Sequence, residues 1–172
     1  GNVYVAGTFS GTIDFDPGPG IFEVSSVTEQ DAYLLKLDIN GGFIWVRNMG
    51  LSASSIVLDG AGNIYVTGIY YDDGNFGTFP LTNNGHTDIF VCKLDSDGNF
   101  LWAQGIGGPE YEYSNSITLE PSADGHDVYV TGSYQSTVDF DPGVGVTPLS
   151  SVAGSDDVFV LKLDEDGSFL WA

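Results

Sequence analysis

The chain has 172 residues, 42% apolar and 13% aromatic, which is ample material for a packed core. Four Lys and Arg stand against 24 Asp and Glu, a formal net charge of -20, and a field of that sign repels nucleic acid and anionic lipid. Cys92 is the only cysteine, which excludes an intrachain disulfide and a cysteine-held metal centre, and no apolar run approaches the roughly 18 residues of a membrane-spanning helix.

Taken in order, the chain repeats itself. The first unit, about residues 1–50, carries Gly1-Asn-Val-Tyr-Val-Ala-Gly7 and then Asp31-Ala-Tyr-Leu-Leu-Lys-Leu-Asp-Ile-Asn-Gly-Gly-Phe-Ile-Trp45. The second, about 51–108, repeats both blocks from Gly62 to Gly68 and from Asp88 to Trp102, and the third, about 109–172, from His126 to Gly132 and from Asp157 to Trp171. Each unit reads as four short strands with no helical periodicity long enough to compete, and the first unit lacks its opening strand. In the second unit the strands are predicted at 55–59, 64–70, 89–95 and 99–105. Gly60 to Gly62, a longer loop, and Ser96 to Gly98 connect them, the last with the Asp-Gly chemistry of a tight hairpin. The Trp-to-Trp spacing grows from 57 to 69 residues, and the extra length is assigned to loops at Pro109 to Tyr113, at Pro121 to Ala123, and ahead of the Asp88 and Asp157 blocks.

Val3 and Val5 oppose Tyr4, and Leu35 and Leu37 oppose Leu34, so the best-marked strands are apolar on both faces and need cover on each. Four-strand antiparallel sheets stacked in series describe an all-β, β-propeller segment of about three blades, an incomplete ring. Tandem β-sandwiches are the rival, but they need roughly seven strands before repeating. The uncovered end faces of such a segment predict packing against remaining blades of a longer chain or self-association.

These blocks resemble the SBBP family of bacterial β-propeller repeats, with its Gly-Asn-Val-Tyr-Val-Thr-Gly strand and its Lys-Leu-Asp-x-x-Gly-x-x-x-Trp hairpin. A Thr-Val-Asp-Phe-Asp-Pro-Gly segment between them in many members is matched here by residues 12–18 and 137–143. The second unit departs, with Tyr70-Tyr-Asp-Asp-Gly-Asn-Phe-Gly-Thr-Phe79 in that place. The resemblance implies a secreted or cell-surface bacterial protein and no general activity.

Asp14 with Asp16, and Asp139 with Asp141, flank Phe15 and Phe140 and are predicted to leave one face of a strand. Paired carboxylates serve acid/base work, hold Ca²⁺ or support structure. Identical recurrence in two units favours structure over catalysis, and calcium is the one cofactor these pairs suggest. Asp95-x-Asp-Gly98 and Asp164-x-Asp-Gly167 lack the spacing of a calcium loop and read as hairpin turns. Lys36, Lys93 and Lys162 share one repeat position, where each is expected to bury its stem and meet a carboxylate. Trp45, Trp102 and Trp171 read as blade core. His86 and His126 fall in polar loops without a patterned partner. Function is expected where copies differ: Tyr70, Tyr71, Asp72, Asp73 and Asn75, with Tyr111 and Tyr113, offer aromatic faces beside polar acceptors for a protein or carbohydrate partner. No catalytic residue is predicted. The expectation is a non-enzymatic scaffold or binding module; the alternative is part of a propeller glycosidase or lyase whose catalytic residues lie outside this sequence.

Overall fold

The computed structural model describes residues 1–49, 52–123, 125–152 and 154–172. The chain divides into two compact units, Gly1–Ala53 and Ser54–Ala172. All regular structure among the described residues is β, and none of it is a helix that could cross a membrane.

The first unit holds β1 (Val3–Phe9), β2 (Thr12–Asp14), β3 (Glu23–Ser25), β4 (Asp31–Leu37) and β5 (Phe43–Asn48). β1, β4 and β5 form an antiparallel sheet in that order, while β2 and β3 make a separate short hairpin. Phe9, Phe15 and Val46 are its buried centre.

Then follow β6 (Ser52–Leu58), β7 (Ile64–Tyr70), β8 (Gly74–Phe76), β9 (Phe79–Leu81), β10 (Asp88–Leu94) and β11 (Phe100–Ile106). The chain continues with β12 (Glu112–Ser122), β13 (Gly125–Tyr134), β14 (Thr137–Asp139), β15 (Pro148–Ser150), β16 (Asp157–Leu163) and β17 (Phe169–Trp171). They build two four-stranded sheets, ordered β11-β10-β7-β6 and β12-β13-β16-β17, each accompanied by a hairpin, β8-β9 or β14-β15. The four strands expected of the second unit are present to within a few residues.

The strand turns explain their own sequence. Asp38, Asp59, Asp95 and Asp164 each turn Oδ1 onto two backbone N–H groups of the following residues. The glycine three positions on adopts φ of +83°, +88°, +80° and +81° respectively, a left-handed conformation that side chains disfavour. The Lys-Leu-Asp-x-x-Gly block is therefore a strand ending in a self-capped hairpin.

Within the second unit the two sheets pack face to face. All seven residues of β10 are buried, as are Ile64, Tyr65, Val66, Thr67, Gly68 and Tyr70 of β7. That is the expectation for a strand apolar on both faces. Tyr65, Ile89, Val91 and Trp102 form one core with Ile117, Val128, Val130 and Leu161 of the next sheet. Burying a side chain of this size contributes about 1.5–3 kcal/mol.

Two expectations change. The stretch read as a long loop between the second and third strands of each unit contains a hairpin, whose three-residue strands are too short to carry a periodic signal. The extra residues at Pro121 to Ala123 lengthen a hairpin, β12 pairing with β13 as far out as Pro121↔His126 and Ser122↔Gly125. His126 therefore lies in a strand, and Tyr113 lies in β12.

Candidate functional site

The Asp-Phe-Asp segments are plugs. Phe15 meets Phe9 and Tyr33 at centroid distances of 5.2 and 4.8 Å, and Phe140 meets Tyr134 and Phe159 at 5.3 and 4.9 Å. Phe76 does the same against Phe90 and Phe100, at 4.9 and 5.2 Å, so the divergent second unit keeps the plug under a different spelling. Strand β2 ends at Asp14, and Asp16 belongs to the turn beyond it, so the two carboxylates are not neighbours on one strand face. Asp14 Oδ1 accepts from the N–H groups of Asp16 and Phe22, which hold its carboxyl below the ordinary range. Asp139 Oδ1 accepts from Asp141 and Thr147. Asp16 and Asp141 accept from Gly18 and Gly143, and their carboxylates fold over Gly20 and Gly145, where a Cβ would lie 2.1 and 2.0 Å from an oxygen. Asp-Pro-Gly-x-Gly is one closed turn. Among the described residues no three His, Cys, Asp or Glu side chains converge as metal ligands.

The repeated Lys, Tyr and Trp form one cluster per unit. Trp45, Trp102 and Trp171 stand opposite Lys36, Lys93 and Lys162, edge-on to Tyr4, Tyr65 and Tyr129 at 6.3, 6.2 and 6.1 Å. The ammonium groups lie 5.4, 5.1 and 5.2 Å from those Tyr ring centroids. Lys93 Nζ reaches Glu165 of the next sheet at 2.9 Å, and Trp102 Nε1 donates to the Glu165 carbonyl at 2.9 Å. Burial pulls the Lys93 ammonium down, but the Tyr65 hydroxyl beside it and Glu165 outweigh that and leave its pKa raised. The buried Tyr65 hydroxyl itself makes no well-directed hydrogen bond. Lys162 pairs with Asp127 at 2.7 Å. Equivalent position does not mean equivalent cover: Trp102 is buried beneath the next sheet, whereas Trp171 is 46% exposed.

The Asp that opens the second block clamps the loop before it. Burial pushes the Asp31 carboxyl up, yet donors from Thr28, Val27 and Asn48 outweigh this and hold it low. Asp88 has fewer donors, Asn84 N and Nδ2 on Oδ2, and its pKa is raised, burial being the main cause. Asp88 Oδ1 and Glu112 Oε1 are both buried without a hydrogen bond. Glu112 Oε2 accepts from Gly108 N at 2.9 Å, yet burial, reinforced by the charges of Asp88 and Glu110, lifts this carboxyl to about 7. Sequence reading missed Glu112, because a glutamate between two tyrosines in a segment read as a loop looks like a surface residue. Such pKa values mark catalytic groups when a substrate can reach them. Both side chains here are fully enclosed.

The residues that differ between units separate into core and surface. Tyr70, expected at the surface, is fully buried; its hydroxyl donates to the Thr82 carbonyl at 3.1 Å, and burial raises its pKa. Asp73 accepts from Asn83 N and closes its own loop. Tyr71 is 59% exposed and Asp72 is exposed. Asn75 pairs through its backbone with Pro80, and its side chain lies outside the described residues. Tyr111 and Tyr113, each 38% exposed, are near-parallel, and His86 stacks on Tyr111 at 4.6 Å and 14°. The bridge between Thr87 and Tyr111 places this stack. His86 escaped sequence reading because its partner lies 25 residues away. Beside the stack is a cleft of about 420 Å³ lined by Glu110, Gln135, Ser136, Ser151, Gly154 and Ser155.

The chain is 26% identical, over 84% of its length, to an uncharacterised WD repeat-containing protein of Acanthamoeba polyphaga mimivirus. The aligned stretch spans 12% of that relative. No family model matches the chain. The relative and the repeated small sheets agree on a β-propeller type of repeat.

Proposed function

We propose that this chain is a non-catalytic binding segment of a β-propeller, in which the repeated residues build the blades and the His86-Tyr111-Tyr113 surface meets the partner. The observation that carries this reading is the division of labour between them. The repeated aspartates close turns or clamp loops, and Lys93 and Lys162 are held in ion pairs, while the exposed aromatic stack is built from residues without a repeat counterpart, His86 in the second repeat and Tyr111 and Tyr113 in the third. A rigid scaffold with variable surface residues is how repeat architectures acquire specificity. The raised carboxyls of Glu112 and Asp88 are sealed from any substrate and so offer no catalytic pair within this chain, while the glycosidase or lyase alternative places its catalytic residues outside this sequence. A secreted or cell-surface location in bacteria belongs to the same proposal and rests on the SBBP resemblance.

The test is retention of the labelled chain on an oligosaccharide array and on a peptide array, alongside the Tyr111→Ser/Tyr113→Ser double variant. A binding segment retains saturably on at least one array and loses that retention in the variant at an unchanged melting temperature. Equal behaviour of the two proteins on both arrays refutes the reading.

A further inference from the structure

Ser136 is the only non-glycine residue among the described residues with positive φ, at 64°. Its counterpart in the first unit is Gly11, at 70°. The two turns are closed by the same bonds. Gly11 N donates to Ser26 Oγ and Ser26 N to the Gly11 carbonyl, both at 2.9 Å; Ser136 N donates to Ser151 Oγ and Ser151 N to the Ser136 carbonyl, both at 2.8 Å. Glycine therefore suffices for the turn, and a serine there costs about 1–2 kcal/mol of backbone strain. The strain places a side chain with an unbonded hydroxyl on the wall of the cleft beside Glu110 and Gln135.

The lining is polar and rich in hydroxyls. Gln135 gives an amide N–H to Asp156 at 2.6 Å and retains its side-chain carbonyl as an acceptor. Ser136 and Ser155 are exposed, and Glu110 adds an exposed carboxylate. Gln135 N donates to the Tyr111 carbonyl at 3.1 Å, which joins this wall to the backbone of the residue whose ring stacks on His86. A site that combines clustered hydroxyl, amide and carboxylate partners with an exposed ring face matches a sugar, whose hydroxyls bond in the plane and whose C–H face rests on an aromatic ring. The carboxylate and the net charge of -20 disfavour an anionic one.

We propose that the cleft formed by Glu110, Gln135, Ser136, Ser151 and Ser155, with Tyr111 at its margin, is a subsite for a neutral pyranose. This rests on the binding-segment reading and names the ligand class of the same surface. Its floor is held by the backbone bonds of the Ser136–Ser151 turn, so the site is formed before the ligand arrives.

The experiment is an amide chemical-shift titration of this chain with cellotetraose, chitotetraose and mannotetraose, with tetragalacturonate as the anionic comparison. The expected result is saturable movement of residues 110–113, 135–136 and 151–155 with at least one neutral probe, and weaker binding of the uronate. Tyr111→Ala should weaken that binding about tenfold. Ser136→Gly should also weaken it about tenfold, while raising the melting temperature because the left-handed strain is relieved. Three neutral probes that leave these amides unmoved, or a Ser136→Gly chain that binds as well as the native one, overturn the proposal. Tyrosine-dependent retention on the peptide array alone also overturns it and leaves the broader reading standing.

Discussion

Replacing Glu112 by Gln should remove one large pH-dependent contribution to stability. The Glu112 carboxyl is fully buried, receives one N–H from Gly108, and titrates near 7 in the folded chain against an ordinary value of 4.5. A carboxyl whose pKa is raised by folding contributes its stability below pH 4.5, where both states are protonated. That contribution is lost as pH climbs from 4.5 through 7, because the unfolded chain releases a proton the folded one retains. At about 1.4 kcal/mol per unit, the shift amounts to about 3 kcal/mol. Asp88, raised in the same direction and coupled through charge, broadens the transition, so the pair titrates jointly. Gln keeps the carbonyl that accepts from Gly108 and cannot ionise. The assay is urea unfolding of both proteins at intervals from pH 4 to pH 8. The native-minus-variant difference should move by about 3 kcal/mol against the native chain over that range, with most of the change between 4.5 and 7. A difference independent of pH would show that Glu112 is solvated or paired in a way the geometry does not provide.

Trp102→Phe should cost about 2 kcal/mol, since it removes the indole N–H from the Glu165 carbonyl beneath packed neighbours. Trp171→Phe, at the same repeat position but 46% exposed, should stay within about 0.5 kcal/mol by the same denaturant assay. Glu165→Gln should destabilise more than Lys93→Met, by about 1 kcal/mol, because it leaves a largely buried ammonium without its carboxylate; the Glu165 side chain is 31% exposed, which softens the loss. Differential scanning fluorimetry in chelator and in millimolar calcium should give the same midpoint, as Asp14, Asp16, Asp139 and Asp141 are already engaged by their own turns. A midpoint that climbs with log free calcium would put the ion on those pairs.

What was legible in the chain was local. The Lys-Leu-Asp-x-x-Gly blocks carry strand, turn and left-handed glycine within a few residues, so the hairpins from Leu94 to Phe100 and Leu163 to Phe169 follow from spacing alone. The repeat itself exposed the lysines and the tryptophans as equivalent positions, because three copies can be compared where one cannot; that a tyrosine joins them appears only in the packed sheets. Phe76 was hidden: it fills the place of Phe15 and Phe140 without their flanking aspartates, and only the packed ring identifies it. Tyr70 and Tyr71 are adjacent and chemically alike, yet one is sealed and the other open: β7 ends at Tyr70, and Gly105, lacking a side chain, admits the Tyr70 hydroxyl. Glu112, His86 and the cleft around Ser136 depend on residues far apart in the chain, and no window of sequence holds them together.

The bond between Lys93 and Glu165 spans 72 positions, and that between Trp102 and Glu165 spans 63. Counted from the end of β11 at Ile106, synthesis at about 5–20 residues per second leaves the second sheet waiting roughly 3–12 s for Glu165 to emerge. Until Ile117, Val128 and Val130 arrive with the next sheet, Tyr65, Val91 and Trp102 lack that cover on the nascent chain, a state prone to misassembly. The surplus of carboxylates, already present on the growing polypeptide, keeps such chains apart by mutual repulsion while the joint is open. Slowing the ribosome between Trp102 and Glu165 lengthens the open interval in direct proportion.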